Sequence, residues 1–113
     1  MSLEEYFSTG PAHERPIFEA VMRHLATVGP VHVEPVSVGI FLKRAQSFVQ
    51  LRPKDRWVAM SFSLARAVEH ERITRKVVRY AGGYHHVANL GSEDDLDDRL
   101  CAWLSEAYLN SPT

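Results

Sequence analysis

Aromatic and basic side chains alternate with apolar ones through the middle of this chain, and their spacing suits the binding of an anionic ligand. Alternation with a period of two predicts strands whose successive side chains point to opposite faces of a sheet. We expect one face to carry the apolar set Val38, Ile40, Leu42, Val58, Met60 and Phe62. The other face then carries Phe41, Lys43, Phe48, Gln50, Arg52 and Trp57, extended by Arg75 and Arg79. Single-strand-binding proteins use such sheets, because bases stack on the rings and the cations follow the phosphates.

The three rings of this face have a second interpretation. No ribonucleoprotein-type motif accompanies them, which favours burial of Phe41, Phe48 and Trp57 by a loop or by a second copy of the chain. An open face with three large aromatic side chains is also a suitable homodimer interface. The sequence therefore leaves ligand binding and dimerisation both open.

Two adjacent histidines, His85 and His86, fall on one predicted strand, so they point to opposite faces and cannot bind one metal ion together. The spacing typical of zinc ligands is missing, and we expect no metal and no cofactor.

The motifs of serine hydrolases, phosphate-binding loops and dinucleotide-binding folds are also missing. An enzyme is therefore the less favoured interpretation. It would act on a small anionic substrate with His85 as the proton-transfer group, since His85 shares the face of the basic residues.

The charge of the chain is strongly polarised along its length. Residues 1–42 carry −3, residues 43–79 carry +7 and residues 80–113 carry −5, which together give the net charge of −1.

The 113 residues suit a single domain, 1–113. No apolar run approaches the ~18 residues of a membrane span, and the acidic N-terminus is not a secretory signal. The single Cys101 fits a reducing compartment, so we predict a cytoplasmic protein without a membrane partner.

The elements that position these residues follow from the spacing of apolar side chains. Helices are expected at residues 3–7 and at residues 14–28, where apolar residues recur every three to four positions. Another helix should begin after the cap at Ser92 and end at Asn110 and Pro112. Strands are expected at residues 31–35, 38–43, 48–52, 57–64 and 84–90.

Residues 65–82 suit either a helix or a basic edge strand, and we favour a strand at residues 72–80. The other strands are joined by connections so short that neighbours must be antiparallel. The predicted class is α+β, an antiparallel sheet of five to six strands (a meander) with an N-terminal and a C-terminal helix packed on one face.

Three stretches together resemble a bacterial family catalogued as domain of unknown function 5655. They are Gly29–Val31 after a helix, the strands at residues 38–44, 48–51 and 60–64, and residues 85–90 followed by a Ser-Glu-Asp cap and residues 102–108. The resemblance covers nearly the whole chain and supports the fold, including the strand at 72–80. The family has no established activity, so the resemblance implies no mechanism.

The sequence thus predicts a non-enzymatic binding module for an anionic partner, whether nucleic acid, an acidic protein segment or a phosphorylated metabolite. The predicted contacts are Phe41, Lys43, Arg52 and Trp57, with Arg75, Arg79 and His85 at the periphery. The alternatives are a homodimeric structural domain that uses the same face as its interface, and an enzyme that uses His85.

Overall fold

Amphipathic helices near both ends of the chain pack on a sheet built from the central segments. The structure, a computed structural model, describes residues 1–111. Its helices are α1 (Leu3–Phe7), α2 (Glu14–Ala26) and α3 (Asp98–Asn110). Its strands are β1 (His32–Val36), β2 (Gly39–Lys43), β3 (Ser47–Pro53), β4 (Val58–Leu64), β5 (Val78–Tyr80) and β6 (Gly83–Leu90). The predicted α+β class is confirmed.

All six strands belong to one antiparallel sheet with the order β1-β2-β3-β4-β6-β5. The first four form the predicted meander. β6 then pairs with β4, and the three-residue β5 pairs with the outer edge of β6. A short edge strand of this kind limits unwanted pairing with other chains.

One face of the sheet is buried beneath α2 and α3, as expected from the alternation. Apolar residues of that face and of both helices form a single core, in which the fully buried side chains include Ile17, Leu25, Ile40, Leu42, Met60, Phe62, Leu100 and Leu104. Burial of one such side chain contributes about 1.5–3 kcal/mol. The core therefore decides which face of the sheet stays open to solvent, and we call the uncovered face the open face.

The helix ends differ slightly from the predicted ones. α2 stops at Ala26, and the Gly29 backbone N–H closes its end by donating to the Leu25 carbonyl. The predicted C-terminal helix is interrupted, because a 3₁₀ turn at Glu93–Asp95 precedes α3 and Asp97 caps α3 separately. The predicted stop at Pro112 lies outside the described residues.

Two residues leave the expected faces of the sheet. A β-bulge at Lys43 and Ser47 places an extra residue in β3, so Phe48 and Val49 are both buried although they are consecutive. The Phe48 ring packs edge-on against Tyr108 of α3, with 5.4 Å between ring centroids. Phe48 on the open face is therefore a wrong prediction. Val38 is also misplaced, since it sits in the turn between β1 and β2 and is 54% exposed.

Residues 65–77, which we call the 65–77 loop, contain no regular strand or helix. The predicted strand at 72–80 is thus wrong for residues 72–77 and correct only for Val78–Tyr80. The backbone of this loop makes single hydrogen bonds rather than a regular ladder. Among these bonds, the Asn89 N–H of β6 donates to the Arg72 carbonyl, and the Ile73 N–H donates to the His70 carbonyl.

None of the described helices has both the length and the apolar composition that crossing a membrane requires.

Candidate functional site

The open face contains a shallow depression over its central strand. Residues of β4 that point to this face are small, Ala59 and Ser61, whereas their neighbours on β3 are long. Short side chains flanked by long ones leave a hollow of about 290 Å³. The hollow, which we call the basic depression, is lined by Gln50, Arg52, Lys54, Ala59, Ser61, Arg75, His85 and Val87.

The basic depression gathers positive charge from two segments that are distant in sequence. Arg52 comes from β3, Lys54 follows β3, and Arg75 comes from the 65–77 loop. His85 adds an imidazole from β6. Among the residues that the structure describes, none that lines the depression is acidic. Like charges so close together repel one another, so the site is suited to an anion that would offset the repulsion.

The His85 imidazole reports this local field. Desolvation by surrounding side chains lowers the pKa of His85 below 6.5, and the positive charges of Arg75 and Arg52 lower it further. Both causes disfavour the imidazolium. His85 is therefore mostly neutral at pH 7, and it can accept or donate a hydrogen bond depending on its tautomer.

Arg52 is held in place by two neighbours on the open face. Its guanidinium donates to the Gln50 side-chain carbonyl at 3.0 Å and lies over the Phe41 ring, 5.9 Å from the centroid. Neither contact neutralises the charge. The arginine is thus oriented without being paired to a carboxylate, which leaves most of its donors for another acceptor.

Arg75 reaches the open face because the 65–77 loop passes around the edge of the sheet. On the helix side, the Val68 N–H donates to His86 Nε2 at 3.1 Å, and His70 Nε2 lies 2.7 Å from Asp97 Oδ2. Arg72 then forms an ion pair with Asp95 at 2.7 Å. After these anchors, the Asn89 side chain donates to the Thr74 hydroxyl at 3.3 Å, which directs the next residue toward the depression.

The structure brings together only some of the residues singled out from the sequence. Arg52, Arg75 and His85 line the basic depression, and Phe41 supports Arg52 from the same face. Lys43 is on that face too, but its ammonium pairs with Glu34 at 2.8 Å. Trp57 precedes β4 and is 38% exposed, outside the lining of the depression.

Arg79 lies on the other side of the sheet. It is opposite Tyr84 in the register, whereas His85 is opposite Val78, and successive residues point to opposite faces. The Arg79 guanidinium lies over the Tyr84 ring, 5.9 Å from its centroid. The expectation that Arg79 extends the open face is therefore wrong.

Sequence reasoning missed four residues of the lining, of which two are polar, Lys54 and Ser61, and two are apolar, Ala59 and Val87. A signal for Ser61 was present, because the outward positions of β4 are Ala59, Ser61 and Ser63, an unusually small set for a central strand. Small outward residues on a central strand predict a hollow when the flanking strands carry long side chains. Lys54 lies in a turn segment, where the alternation of strand residues no longer predicts which way a side chain points.

A second cluster, on the helix side, resembles a metal site in composition. Ligand atoms of His70, Glu71 and Asp97 lie within 4.8 Å of one another. Both nitrogens of His70 are engaged, however, since Nε2 contacts Asp97 and Nδ1 accepts the Arg72 N–H at 2.9 Å. These bonds account for the cluster as an anchor of the 65–77 loop.

Comparison with known proteins identifies one similarity over most of the chain. The model of a family described as a domain of unknown function, DUF5655, matches residues 3–111. No curated protein matches the chain, and no solved structure matches it.

Proposed function

We propose a function from the surface of the molecule, because the chain belongs to the DUF5655 family, whose description names no activity. The proposal is that the protein is a binding module for an anionic ligand, and that the basic depression of the open face is its binding site. Arg52, Lys54 and Arg75 supply the charge, and His85 and Ser61 supply further hydrogen-bonding groups.

One observation carries this proposal, namely the convergence of cations from two segments that are distant in sequence, without an acidic partner in the lining. Some cations elsewhere in the described chain form ion pairs, as Arg23 does with Glu93 and Arg66 with Glu106, whereas others, such as Arg15 and Arg56, form none. No described carboxylate pairs in this way with Arg52, Lys54 or Arg75. Unpaired cations that surround a hollow favour an external anion.

Preorganisation supports the same function. Arg52 is braced by Gln50 and Phe41, and Arg75 lies in the 65–77 loop, which is anchored by hydrogen bonds of His70 and Thr74. A ligand that binds to side chains already in position loses less conformational entropy to ordering, which costs about 0.5–1.5 kcal/mol per long side chain.

The test is isothermal titration calorimetry at low ionic strength with three anionic probes: inorganic phosphate, an oligothymidylate and a polyglutamate peptide. We expect at least one probe to bind, and its affinity to fall as salt is added. The double variant Arg52→Gln/Arg75→Gln should lose that binding. Arg23→Gln, which removes one positive charge from α2 on the covered side of the sheet, should keep it. Binding of no probe at low salt, or equal binding by the double variant, refutes the proposal.

A homodimer that uses the open face is the second candidate, and the exposure of apolar side chains near the edge of this face favours it. Val78 is 54% exposed and Tyr80 is 48% exposed, and both point to the open face from β5. Multi-angle light scattering separates the two functions. A dimer that persists at high salt and buries Trp57 would favour the interface, whereas a monomer that binds anions favours the ligand site. A cytoplasmic location stays a prediction.

A further inference from the structure

We propose that the ligand of the basic depression is a phosphate monoester, held by its terminal dianionic phosphate, rather than the backbone of a nucleic acid. This inference rests on the proposed function and names the chemistry of its ligand. It follows from the layout of the charges, from the state of the aromatic rings and from the donors that line the hollow.

The unpaired cations of the lining are grouped around one hollow. Toward β1, the next cation on the open face is Lys43, which Glu34 neutralises at 2.8 Å. Toward β5, Arg79 points away to the other face. A strand of nucleic acid carries one charge per nucleotide and needs cations that continue along its path. The lining of the depression instead suits a single charged group.

The aromatic rings are not arranged to stack bases. Phe41 is covered by the Arg52 guanidinium, and Phe48 is buried against Tyr108. At the edge of the sheet, the Tyr80 hydroxyl donates a hydrogen bond to the Ser63 hydroxyl at 2.8 Å. Strand-binding sheets present successive free rings, since stacking contributes about 1–3 kcal/mol per base. Trp57 and Tyr80 are partly exposed but lie outside the lining of the depression. The basic depression itself therefore offers no row of rings for successive bases.

The donors of the depression match a compact dianion. A phosphate monoester presents three acceptor oxygens and about −1.5 to −2 charges near pH 7. Guanidinium groups of Arg52 and Arg75 donate in the planar fork that phosphate oxygens accept, and Lys54 adds a point charge. The Ser61 hydroxyl and the His85 imidazole lie between them in the same lining. A phosphodiester, with two free oxygens and one charge, would use this donor set less fully.

The size of the hollow also limits the ligand. At about 290 Å³ it lies just below the ~300–1,000 Å³ range of ligand pockets. It can surround a phosphate group, while the remainder of the ester projects into solvent. The source of the phosphate is therefore either a small metabolite or a phosphorylated side chain, and both share the chemistry that the site recognises.

Proton uptake by His85 should accompany binding. The charged groups that face His85 are Arg52 and Lys54 from the β3 side and Arg75 from the loop, and among the described residues none of these neighbours is acidic. An added dianion reverses the local field and favours the imidazolium. Affinity for inorganic sulfate, a dianion that does not itself titrate near neutral pH, should therefore rise as the pH is lowered through the pKa of His85. His85→Gln should remove this dependence and retain binding.

The experiment compares ligands that differ only in a terminal phosphate. An oligothymidylate with a 5′-phosphate is titrated against the same strand without it, and phosphoserine peptide against unphosphorylated peptide; glucose 6-phosphate is titrated against glucose. We expect each phosphorylated probe to bind at least about tenfold more tightly than its partner, and Arg75→Gln to weaken binding by about tenfold, the loss expected for one charge-assisted hydrogen bond. Arg23→Gln serves as the matched control.

The two proposals fail in different ways in this experiment. Equal binding of both oligothymidylates, with a salt dependence that corresponds to several phosphates, overturns the monoester and leaves anion binding intact. Absence of binding by every probe overturns both proposals. Preference for the peptide or for the sugar phosphate identifies the source and supports the monoester in either case. Circular dichroism and thermal melting of each variant show whether a loss of binding reflects unfolding.

Discussion

A carboxylate placed inside the basic depression should stabilise the protein and at the same time abolish anion binding. Ser61 is the position of choice, because it points to the open face from the central strand and lines the depression between Arg52 and His85. The change Ser61→Asp supplies from within the negative charge that we propose a ligand supplies from outside. Ser61→Asn is the matched control, since it has the same size and a similarly low preference for strands.

The expected magnitude follows from the exposure of the site. Opposite charges at roughly 6 Å in a water-like medium interact by about 0.7 kcal/mol, so two arginines contribute about 1–1.5 kcal/mol. The Asp variant should therefore be more stable than the Asn variant by about 1 kcal/mol, or about 4 °C in the midpoint of thermal unfolding for a domain of this size. The carboxylate should also raise the pKa of His85, since it favours the imidazolium that Arg75 and Arg52 now disfavour.

Urea denaturation of the two variants at low and high salt measures the difference in unfolding free energy, and the NMR titration of the His85 ring measures its pKa. The advantage of Asp over Asn should shrink at high salt, because screening weakens interactions between exposed charges. Equal stability of the two variants at low salt, with an unchanged His85 pKa, would show that the cations of the depression do not act on a common point. The reasoning behind both proposals would then be refuted.

Three further predictions concern the anchors of the site and its limits. Asp97→Asn should lower the unfolding free energy, measured by urea denaturation, by about 1–2 kcal/mol more than Asp98→Asn does. Both positions lie at the α3 N-terminus, but only Asp97 also accepts a hydrogen bond from His70. Equal losses in the two variants would contradict an anchoring role for Asp97. Arg79→Gln should leave the calorimetric affinity for phosphate unchanged, since this guanidinium lies on the opposite face, and a loss like that of the site variants would overturn the register argument. The wild-type protein should lose stability as the pH falls below 6.5, because burial lowers the pKa of His86 and the unfolded chain then binds a proton that the folded chain excludes; melting curves of His86→Gln should depend less on pH in that range.

Much of the fold was accessible from the spacing of apolar residues. The three- to four-residue spacing in α2 and the strict alternation from Ile40 to Leu42 and from Val58 to Leu64 predicted the elements and the covered face, because only one arrangement buries all of these side chains. The alternation also predicted that Arg52 and His85 lie on the open face.

Local irregularities account for the errors. The bulge at Lys43 and Ser47 turns Phe48 into the core, and one extra residue in a strand is invisible to a period-two pattern. Residues 72–77 were predicted as strand because a basic segment suits the edge of a sheet and because the family resemblance supported a strand at 72–80. The true course of the 65–77 loop depends on His70, Arg72 and their acidic partners at the start of α3, which are distant in sequence.

The spacing of apolar residues and the polarity along the chain thus decided which residues form strands and which side of each strand packs against the helices. They also decided where positive charge accumulates. These properties depend on residues that are near neighbours in the sequence. The depression itself depends on the tertiary structure. It requires that the small outward side chains of β4 lie beside the long ones of β3. It also requires the register that places Arg79 on the opposite face, and the path of the 65–77 loop around the edge of the sheet, which places Arg75 on the open face. Each of these depends on contacts between segments far apart in the chain, and such contacts exist only once the core has packed.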